Sequence, residues 1–495
     1  MVFSSLFFVY IFLPILLLFY FIIKNNSWRR GVLLVFSLMF YAWGEPVYIL
    51  LMLFSALCNY VFGLLVGNAR TPGAKKAMAA LSVVVNLGLL GVFKYAGFAV
   101  ETFNAITGMA LPVPAIVLPL GISFYTFQAM TYVIDVYRDN CKPQRSFPRL
   151  LLFITFFPQL VAGPIVRYTD IVDQLEDRRI TAKQFNDGLY RFAIGMGKKV
   201  VLANTCALAT ENIFAAAGGA TVLGSWSGIL FYAFQIYFDF SGYSDMAIGL
   251  GNMFGFTFPE NFNYPYISKN VTEYWRRWHM TLGSWFRDYL FYPIMRSKGI
   301  TKMAKNLKAS GHKSASKALP TIIALAVVWF STGLWHGANW NYVLWGVYYG
   351  FWLIVEKFVL EKFYKKMPGT VSEILQRVSF VFITLFGFAI FYHENNLFTR
   401  LGHMFGVGTT GLTSVYAESM LYENGILLAV AFLCSMPLAK TVMDKVRGKM
   451  YATMGENAAY TIDRLFKTVV VLALFTLCTI RLAGDSYNPF IYFKF

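Results

Sequence analysis

The sequence predicts an all-α integral membrane protein with about 11 to 12 transmembrane helices. Of its 495 residues, 57% are hydrophobic, 18% are aromatic and only 14% are charged. A water-soluble protein could not cover so much apolar surface, whereas lipid accepts it. The apolar runs recur from end to end and no polar block of useful size separates them, so residues 1–495 are interpreted as a single polytopic membrane domain.

The individual spans follow from the length of the apolar runs. A hydrocarbon core of about 30 Å requires roughly 20 helical residues per crossing. The first run, Met1 to Tyr20, has no basic flank and no small-residue cleavage site, so it is interpreted as a retained helix. The predicted spans are approximately 5–23, 31–42, 46–66, 77–100, 116–137, 187–213, 225–254, 319–336, 339–361, 375–392, 424–439 and 466–483.

Two further segments do not fit simple crossings. Residues 150–165 are apolar but are interrupted by Pro158, Gly163 and Pro164, and residues 261–293 are rich in Trp, Tyr and Arg. Both are predicted to be re-entrant or interfacial segments. Non-helical backbone at membrane depth is tolerated only where protein or a water-filled cavity satisfies it, so the two segments indicate a thick protein body around an internal cavity.

The net charge of +18 is distributed as expected for a multi-pass protein. Lys and Arg collect in alternate connections, including seven between Arg296 and Lys317 with no acidic residue, and the intervening connections are nearly free of them. The positive-inside rule then predicts cytoplasmic basic loops, extracytoplasmic termini and contact with anionic membrane lipids, but no nucleic-acid partner. The five cysteines are scattered and predict neither disulfides nor a metal site.

His336 is the first candidate for chemistry, because it lies where one apolar helix ends and the next begins. Ionisable residues in membrane sequence are costly and are functional candidates by default, and a neutral imidazole can accept a proton from a hydroxyl. Gly333 and Gly337 allow a substrate or another backbone to come close. The alternative is a histidine at the membrane interface beside a tryptophan belt. The tryptophans that could line a channel here are Trp335, Trp340 and Trp345.

His279 is the second candidate, within residues 270–290. Asn270 or Thr272 can cap an amphipathic helix, whose apolar residues recur at helical spacing. Arg276 and Arg277 could hold the phosphates of a nucleotide-like donor, or else meet lipid headgroups at the interface. The apolar set comprises Trp275, Trp278, Leu282, Trp285 and Phe286.

Polar residues within the predicted span 225–254 form a third set. Asp239, Tyr243 and Asp245 must face protein or water there and should be hydrogen-bonded, and structural pairing of each Asp with an Arg or an amide is favoured. His312, His393 and His403 are expected to be bystanders. The sequence contains no glycine-rich phosphate loop, no nucleophile-elbow serine and no metal-spaced His/Cys set.

Several stretches resemble the membrane-bound O-acyltransferase family, in particular its bacterial branch typified by the membrane component of alginate O-acetylation. The resemblance covers most of the chain in the expected order, with its core at about 116–395. Asn339 departs from it, because a small residue such as Gly is expected there. The stretches are LPLGISFYTFQAMTYVIDVYR (118–138), FFPQLVAGPIVRY (156–168), YFDFSGYSDMAIGLGNMFGF (237–256), NFNYPYISKNVTEYWRRWHMTLGSWFRDYLFYPI (261–294), GLWHGANWNYVLWG (333–346) and NPFIYF (488–493).

The resemblance implies a ring of tilted helices in the bacterial cytoplasmic membrane, with a cytoplasmic donor tunnel meeting an outer funnel. It places the catalytic histidine at His336 and a second functional histidine at His279. The donor implied is a cytoplasmic thioester, acetyl-CoA, with no permanently bound cofactor and no metal. The acceptor side implies a cell-envelope polysaccharide and a secreted or membrane-tethered acetyltransferase as partner. The residues expected along the substrate and donor path are Trp335, Asn339, Trp340, Trp275, Arg276, Arg277, Asp239 and Tyr243.

Two other functions remain open from the sequence. The first is D-alanyl transfer to teichoic acid from a small acidic carrier protein, which the basic face could dock. The second is a non-enzymatic transporter or scaffold, although transporters often show paired repeats and none is visible in this sequence.

Overall fold

The computed structural model describes residues 1–215 and 220–484, and these contain helices but no β-strand, so the predicted all-α class is confirmed. The stretch NPFIYF (488–493) lies outside the described residues. Each of the twelve predicted spans coincides with a helix. These helices are Phe8–Ile22, Asn26–Gly44, Ile49–Gly67, Pro72–Thr107, Ile122–Tyr137, Ala182–Ala215, Val222–Met253, Lys313–His336, Trp340–Tyr364, Gly369–Tyr392, Gly425–Cys434 and Glu456–Gly484.

The chain is a multi-pass membrane protein. Within the described ranges, seven helices are long and apolar enough to cross a membrane, or eight if the bent pair Val415–Glu423 and Gly425–Cys434 forms one span. These seven are Ile49–Gly67, Pro72–Thr107, Ala182–Ala215, Lys313–His336, Trp340–Tyr364, Gly369–Tyr392 and Glu456–Gly484.

Two predicted span boundaries are wrong. The predicted start at residue 116 precedes the helix, which begins only at Ile122. Pro112, Pro114 and Pro119 disfavour a helix there, because proline lacks the amide donor and restricts the residue before it. The span predicted at 424–439 is also too long: its helix ends at Cys434, three residues before Pro437, and bends by 54° from the preceding helix.

The first predicted re-entrant segment is interrupted and buried, as its prolines suggested. Its helices Phe147–Thr155 and Phe157–Leu160 are separated by Phe156, which has an extended ψ of 110°. Every residue from Leu150 to Val166 is buried. The segment therefore packs inside protein, which is the condition that irregular backbone at membrane depth must meet.

The single amphipathic helix predicted within residues 270–290 is wrong. The chain forms Val271–Arg277 and Met280–Phe286, which are separated at Trp278 and His279. The predicted cap at Asn270 is confirmed, since its side chain accepts a hydrogen bond from the amide of Glu273 at 2.9 Å. Helical spacing continues across the break, so the apolar pattern alone could not reveal it.

Two of the lysine-rich connections contain helices of their own. Lys298–Ala309 and Leu438–Thr453 have no buried residue. In Lys298–Ala309, the lysines occupy one face and the half-buried Ile300, Met303 and Leu307 occupy the other, as in an interfacial helix.

The described chain divides into two compact units. One comprises Met1–Lys199, Gly242–Pro259 and a piece that begins at Val470, and the other comprises Val200–Ser241 and Glu260–Val469. In the first unit, glycines bring two helices into close approach: a Cβ on Gly195 would lie 2.5 Å from the carbonyl oxygen of Gly242. Both histidines of interest belong to the second unit.

Asp245, in the first unit, forms the structural pairing that the sequence favoured. Its carboxylate accepts hydrogen bonds from Arg191 Nη2 at 2.9 Å and from Lys198 Nζ at 2.7 Å. The Asp245 side chain is 15% exposed, so water has little access to its carboxylate and competes weakly with the two cations. A shielded carboxylate with two cationic partners serves the packing of these helices.

Replacing Asp245 with Ala should lower stability by about 3 kcal/mol, because two partly buried cations would lose their counter-ion. The effect is measured as the midpoint of thermal unfolding in detergent, with size-exclusion chromatography used to detect the folded protein. The control is Asp139→Ala, which removes the 81% exposed partner of Lys75 and should change stability by less than about 1 kcal/mol. Equal losses in the two variants would contradict a structural role for the Asp245 cluster.

Candidate active site

His336 is the last residue of the Lys313–His336 helix and points into protein. The residue is 6% exposed. Its imidazole meets the rings of Trp335 and Trp345, each with centroids 4.9 Å apart, and of Phe391 at 5.3 Å, all edge to face. Such contacts fix the plane of the imidazole in apolar surroundings. A histidine at an exposed membrane interface does not fit this burial.

The hairpin that holds His336 depends on close contact between two helices. The helices Lys313–His336 and Trp340–Val355 are joined by residues 337–339. A Cβ on Gly333 would lie 2.5 Å from the carbonyl oxygen of Tyr342, and Gly337 faces the Tyr342 ring. Of the two options that the sequence left open for these glycines, another part of the chain, rather than substrate, occupies the space beside them.

His279 lies between the two short helices and is 2% exposed. Its Nδ1 is 2.9 Å from Oδ1 of Asn261, and its ring forms a T-shaped contact with the Phe240 ring, with centroids 4.6 Å apart. Trp335 also lies beside it, at 6.0 Å between centroids. The two imidazoles therefore border the same indole, so the structure brings the two predicted histidines into one aromatic cluster.

Trp275 extends this cluster. Its ring meets those of Trp329 at 4.7 Å, Tyr349 at 4.8 Å and Trp345 at 5.5 Å between centroids. Indole nitrogens normally find a hydrogen-bond partner when buried. Among the described residues, however, Nε1 of Trp275, Nε1 of Trp345 and Nε2 of His279 are buried without one. A polar ligand at this cluster would supply what these atoms lack.

The two predicted arginines differ in their surroundings. Arg276 is exposed, whereas Arg277 pairs with Glu273 at 2.8 Å and donates to the carbonyl oxygen of Asn263 at 3.1 Å. Burial alone would raise the pKa of Glu273, but hydrogen bonds from the Lys269 amide and the Arg277 side chain hold it below its usual range. Arg277 therefore braces its own segment, and Arg276 is the one that extends towards solvent.

The remaining predicted residues are less closely grouped. Trp340 is 52% exposed, in contrast to the buried Trp335. Asn339 caps the following helix by accepting a hydrogen bond from the Asn341 amide at 3.4 Å. Asp239 is buried in the second unit, and Tyr243 is buried in the first, where its ring stacks on Phe3 with centroids 4.5 Å apart.

Five residues of the cluster escaped the site prediction, namely Phe240, Asn261, Trp329, Tyr349 and Phe391. Asn261, Tyr349 and Phe391 each contact a ring of the cluster from a distant part of the chain. Nothing in the local pattern distinguishes Tyr349 or Phe391 from other apolar helix residues. Asn261 and His279 both lie in the matching stretch 261–294, but nothing in the sequence indicated that they pair with each other.

The chain belongs to the membrane-bound O-acyltransferase family and is an O-acyltransferase. The family model described as MBOAT, membrane-bound O-acyltransferase family, matches residues 141–307, which include His279. The chain is 37% identical to the probable alginate O-acetylase AlgI of Azotobacter vinelandii, over the full length of both. It is 30% identical to the peptidoglycan O-acetyltransferase of Helicobacter pylori, over all of this chain and 98% of that one. The teichoic acid D-alanyltransferase of Bacillus subtilis is 31% identical over 55% of this chain and 68% of its own.

Membership of this family makes the chain an enzyme, so the transporter or scaffold alternative is excluded. The predicted family is confirmed.

Gly333→Ala should destabilise the hairpin that carries His336. The added methyl group would overlap the Tyr342 carbonyl, and overpacking of this kind costs about 1–3 kcal/mol. Gly299→Ala is the matched control, because nothing lies within 4 Å of a Cβ there. Thermal unfolding in detergent should separate the two variants, and similar midpoints would contradict the tight packing at Gly333.

Proposed function

We propose that this enzyme moves an acetyl group from cytoplasmic acetyl-CoA across the membrane for O-acetylation of a cell-envelope polysaccharide, with His336 as the general base on the acceptor hydroxyl. The observation that carries the proposal is the burial of His336 among aromatic rings beside a second imidazole. The full-length similarity to an alginate O-acetylase and a peptidoglycan O-acetyltransferase supports the acetyl group and the polymer class.

In this reaction the His336 imidazole takes the proton of the acceptor hydroxyl. The hydroxyl oxygen attacks the thioester carbonyl carbon, the C–S bond breaks, and the thiolate leaves and takes up a proton. A neutral imidazole suits this task because its reference pKa lies near the working pH.

Negative charge develops on the carbonyl oxygen during the attack and needs a fixed donor. The Trp345 indole N–H is the donor we assign, because its ring contacts His336 and its nitrogen has no partner within residues 1–215 and 220–484. Asn339, whose Oδ1 caps a helix, is less suited to this role than the indole.

The charged part of the donor would stay outside the aromatic cluster. Arg276 is exposed, and the Lys298–Ala309 helix has four lysines and no acidic residue. These side chains suit the phosphates of acetyl-CoA on the cytoplasmic side. A groove of about 540 Å³ runs along this helix and is lined in part by Lys302 and Asn306.

The setting we propose is the bacterial cytoplasmic membrane, with extracytoplasmic termini and a donor tunnel that meets an outer funnel. A secreted or membrane-tethered acetyltransferase would complete delivery to the polymer. D-alanyl transfer to teichoic acid is the less supported alternative, because similarity to the D-alanyltransferase covers only 55% of this chain.

His336→Ala should abolish acetyl transfer without loss of folded protein. Membranes containing the variant are given acetyl-CoA labelled in the acetyl group, and label in envelope polymer and free thiol are measured. We expect a decrease of at least about 100-fold, the scale of a lost general base.

His393→Ala is the matched control for His336, because His393 is also buried and also meets aromatic rings, those of Phe214 and Tyr392. It should retain transfer. Unchanged transfer in His336→Ala at equal protein level would refute the base assignment. Label accepted only from a D-alanyl carrier would instead support the alternative donor.

Trp345→Phe should lower the transfer rate by about 100-fold, because the ring remains but the N–H donor is lost. The substitution should lower kcat and leave the KM for acetyl-CoA unchanged. Trp352→Phe, on the same helix, is the control and should leave both unchanged. A normal rate in Trp345→Phe would contradict the assignment of the Trp345 N–H as the hydrogen-bond donor to the carbonyl oxygen.

A further inference from the structure

The backbone at His279 adopts a conformation that residues with a side chain rarely take. Its φ of 44° and ψ of 53° lie in the left-handed region. Only three other non-glycine residues in the described ranges have positive φ, namely Asp139, Tyr264 and Asn396. Such a conformation is unfavourable for a residue with a Cβ and persists only where the surroundings enforce it.

Asn261 supplies that enforcement. Its backbone carbonyl accepts a hydrogen bond from the Met280 amide at 2.9 Å. Its side-chain Oδ1 accepts from the amide of Thr281 at 3.3 Å and from the Thr281 hydroxyl at 2.8 Å. Asn261 itself is fully buried. The residues immediately after His279 are thereby tied to one asparagine.

These contacts also determine which nitrogen of His279 carries the proton. The amide of Thr281 can only donate, so the side-chain atom of Asn261 that faces it is the oxygen. The same oxygen lies 2.9 Å from Nδ1 of His279, so Nδ1 must be the donor. In the neutral ring, Nε2 then has the lone pair and can only accept.

The accepting nitrogen is available for a ligand. In the described part of the chain, Nε2 of His279 is buried and has no hydrogen-bond partner. The Phe240 and Trp335 rings fix the orientation of the imidazole. A buried acceptor with a fixed direction fits a substrate O–H.

We propose that Asn261 is a positioning residue that holds His279 in the Nδ1–H tautomer, so that Nε2 accepts a hydrogen bond from an O–H group of the acceptor other than the one that gives its proton to His336. The inference rests on the proposed acyl transfer. It makes Nε2 of His279 a hydrogen-bond acceptor towards the substrate, not a hydrogen-bond donor. An uncharged amide can hold this tautomer without favouring the imidazolium. A carboxylate in the same place would favour the imidazolium.

The test measures acetyl transfer against pH for the full-length enzyme and for Asn261→Ala, Asn261→Asp, His279→Ala and the double variant Asn261→Ala/His279→Ala. Asn261→Ala should lower transfer by about 10- to 100-fold, the scale for a lost orienting partner. The double variant should be no slower than His279→Ala alone, because the asparagine acts through the histidine.

Asn261→Asp provides a readout that a purely structural role would not move. The aspartate can still accept from Nδ1, so a large part of the transfer should remain. Its charge favours the imidazolium and raises the pKa of the histidine, and the acidic limb of the pH–rate profile should therefore move to higher pH. An unshifted acidic limb would overturn the positioning role, even if Asn261→Ala failed to fold.

Asn86→Ala is the matched control for removing a buried asparagine. Asn86 is 1% exposed and exchanges hydrogen bonds with Asn59 at 2.8 and 2.9 Å. It should lower the thermal midpoint but leave transfer per folded molecule and the pH profile unchanged.

The outcomes separate the two proposals. If His336→Ala abolishes transfer, His279→Ala slows it and Asn261→Ala does not, the positioning role is wrong and the proposed function stands. Additive losses in the double variant also overturn the positioning role. If His336→Ala and His279→Ala both leave transfer intact, the general-base assignment fails. If the unaltered enzyme transfers no label from acetyl-CoA, the proposed function itself fails.

Discussion

The candidate active site depends on one close approach between two helices. Gly333 leaves no room for a side chain between the Lys313–His336 helix and the Tyr342 carbonyl. A three-residue turn after His336 therefore suffices to bring the Trp345 ring to 4.9 Å from the imidazole. If the two helices were further apart, the Trp345 ring would no longer contact the imidazole. Trp275 packs against the same Trp345 indole. Backbone contact at one glycine thus fixes where the cluster can form.

The polar atoms of the cluster contrast with the Asp245 group in the other unit. Asp245 is satisfied by two cations, as a group that serves packing should be. At the histidines, two indole nitrogens and one imidazole nitrogen are buried without partners among the described residues. Each such atom costs about 1–3 kcal/mol. Native proteins keep such costs mainly where a ligand recovers them, which is why the cluster is a better site candidate than the larger charged surfaces.

Sequence reasoning succeeded where the determining physics is local. The structure has a helix at every span that hydropathy predicted. The prediction works because a membrane crossing depends on the length of its own apolar run. The Asn270 cap and the prolines of residues 150–165 are also local signals. The same reasoning failed at His279, because the apolar residues from Trp275 to Phe286 keep helical spacing while a distant asparagine breaks the helix. The two histidines, which the structure places beside one indole, were singled out because few residue types can move protons. Phe391 and Tyr349 were not singled out, because apolar rings resemble one another in sequence.

The distribution of charge and aromatic rings suits a reaction that divides its donor. The proposed donor, acetyl-CoA, would consist of a small neutral acyl group and a large charged carrier. In the second unit, the exposed Lys298–Ala309 helix contains four lysines, whereas the surroundings of His336 are indole and phenyl rings. Moving the carrier among those rings would cost several kcal/mol per desolvated charge, whereas the acyl group brings no charge to desolvate. In the proposed reaction, the charged carrier of the donor would therefore bind outside the aromatic cluster, and only the acyl group would come close to the histidines.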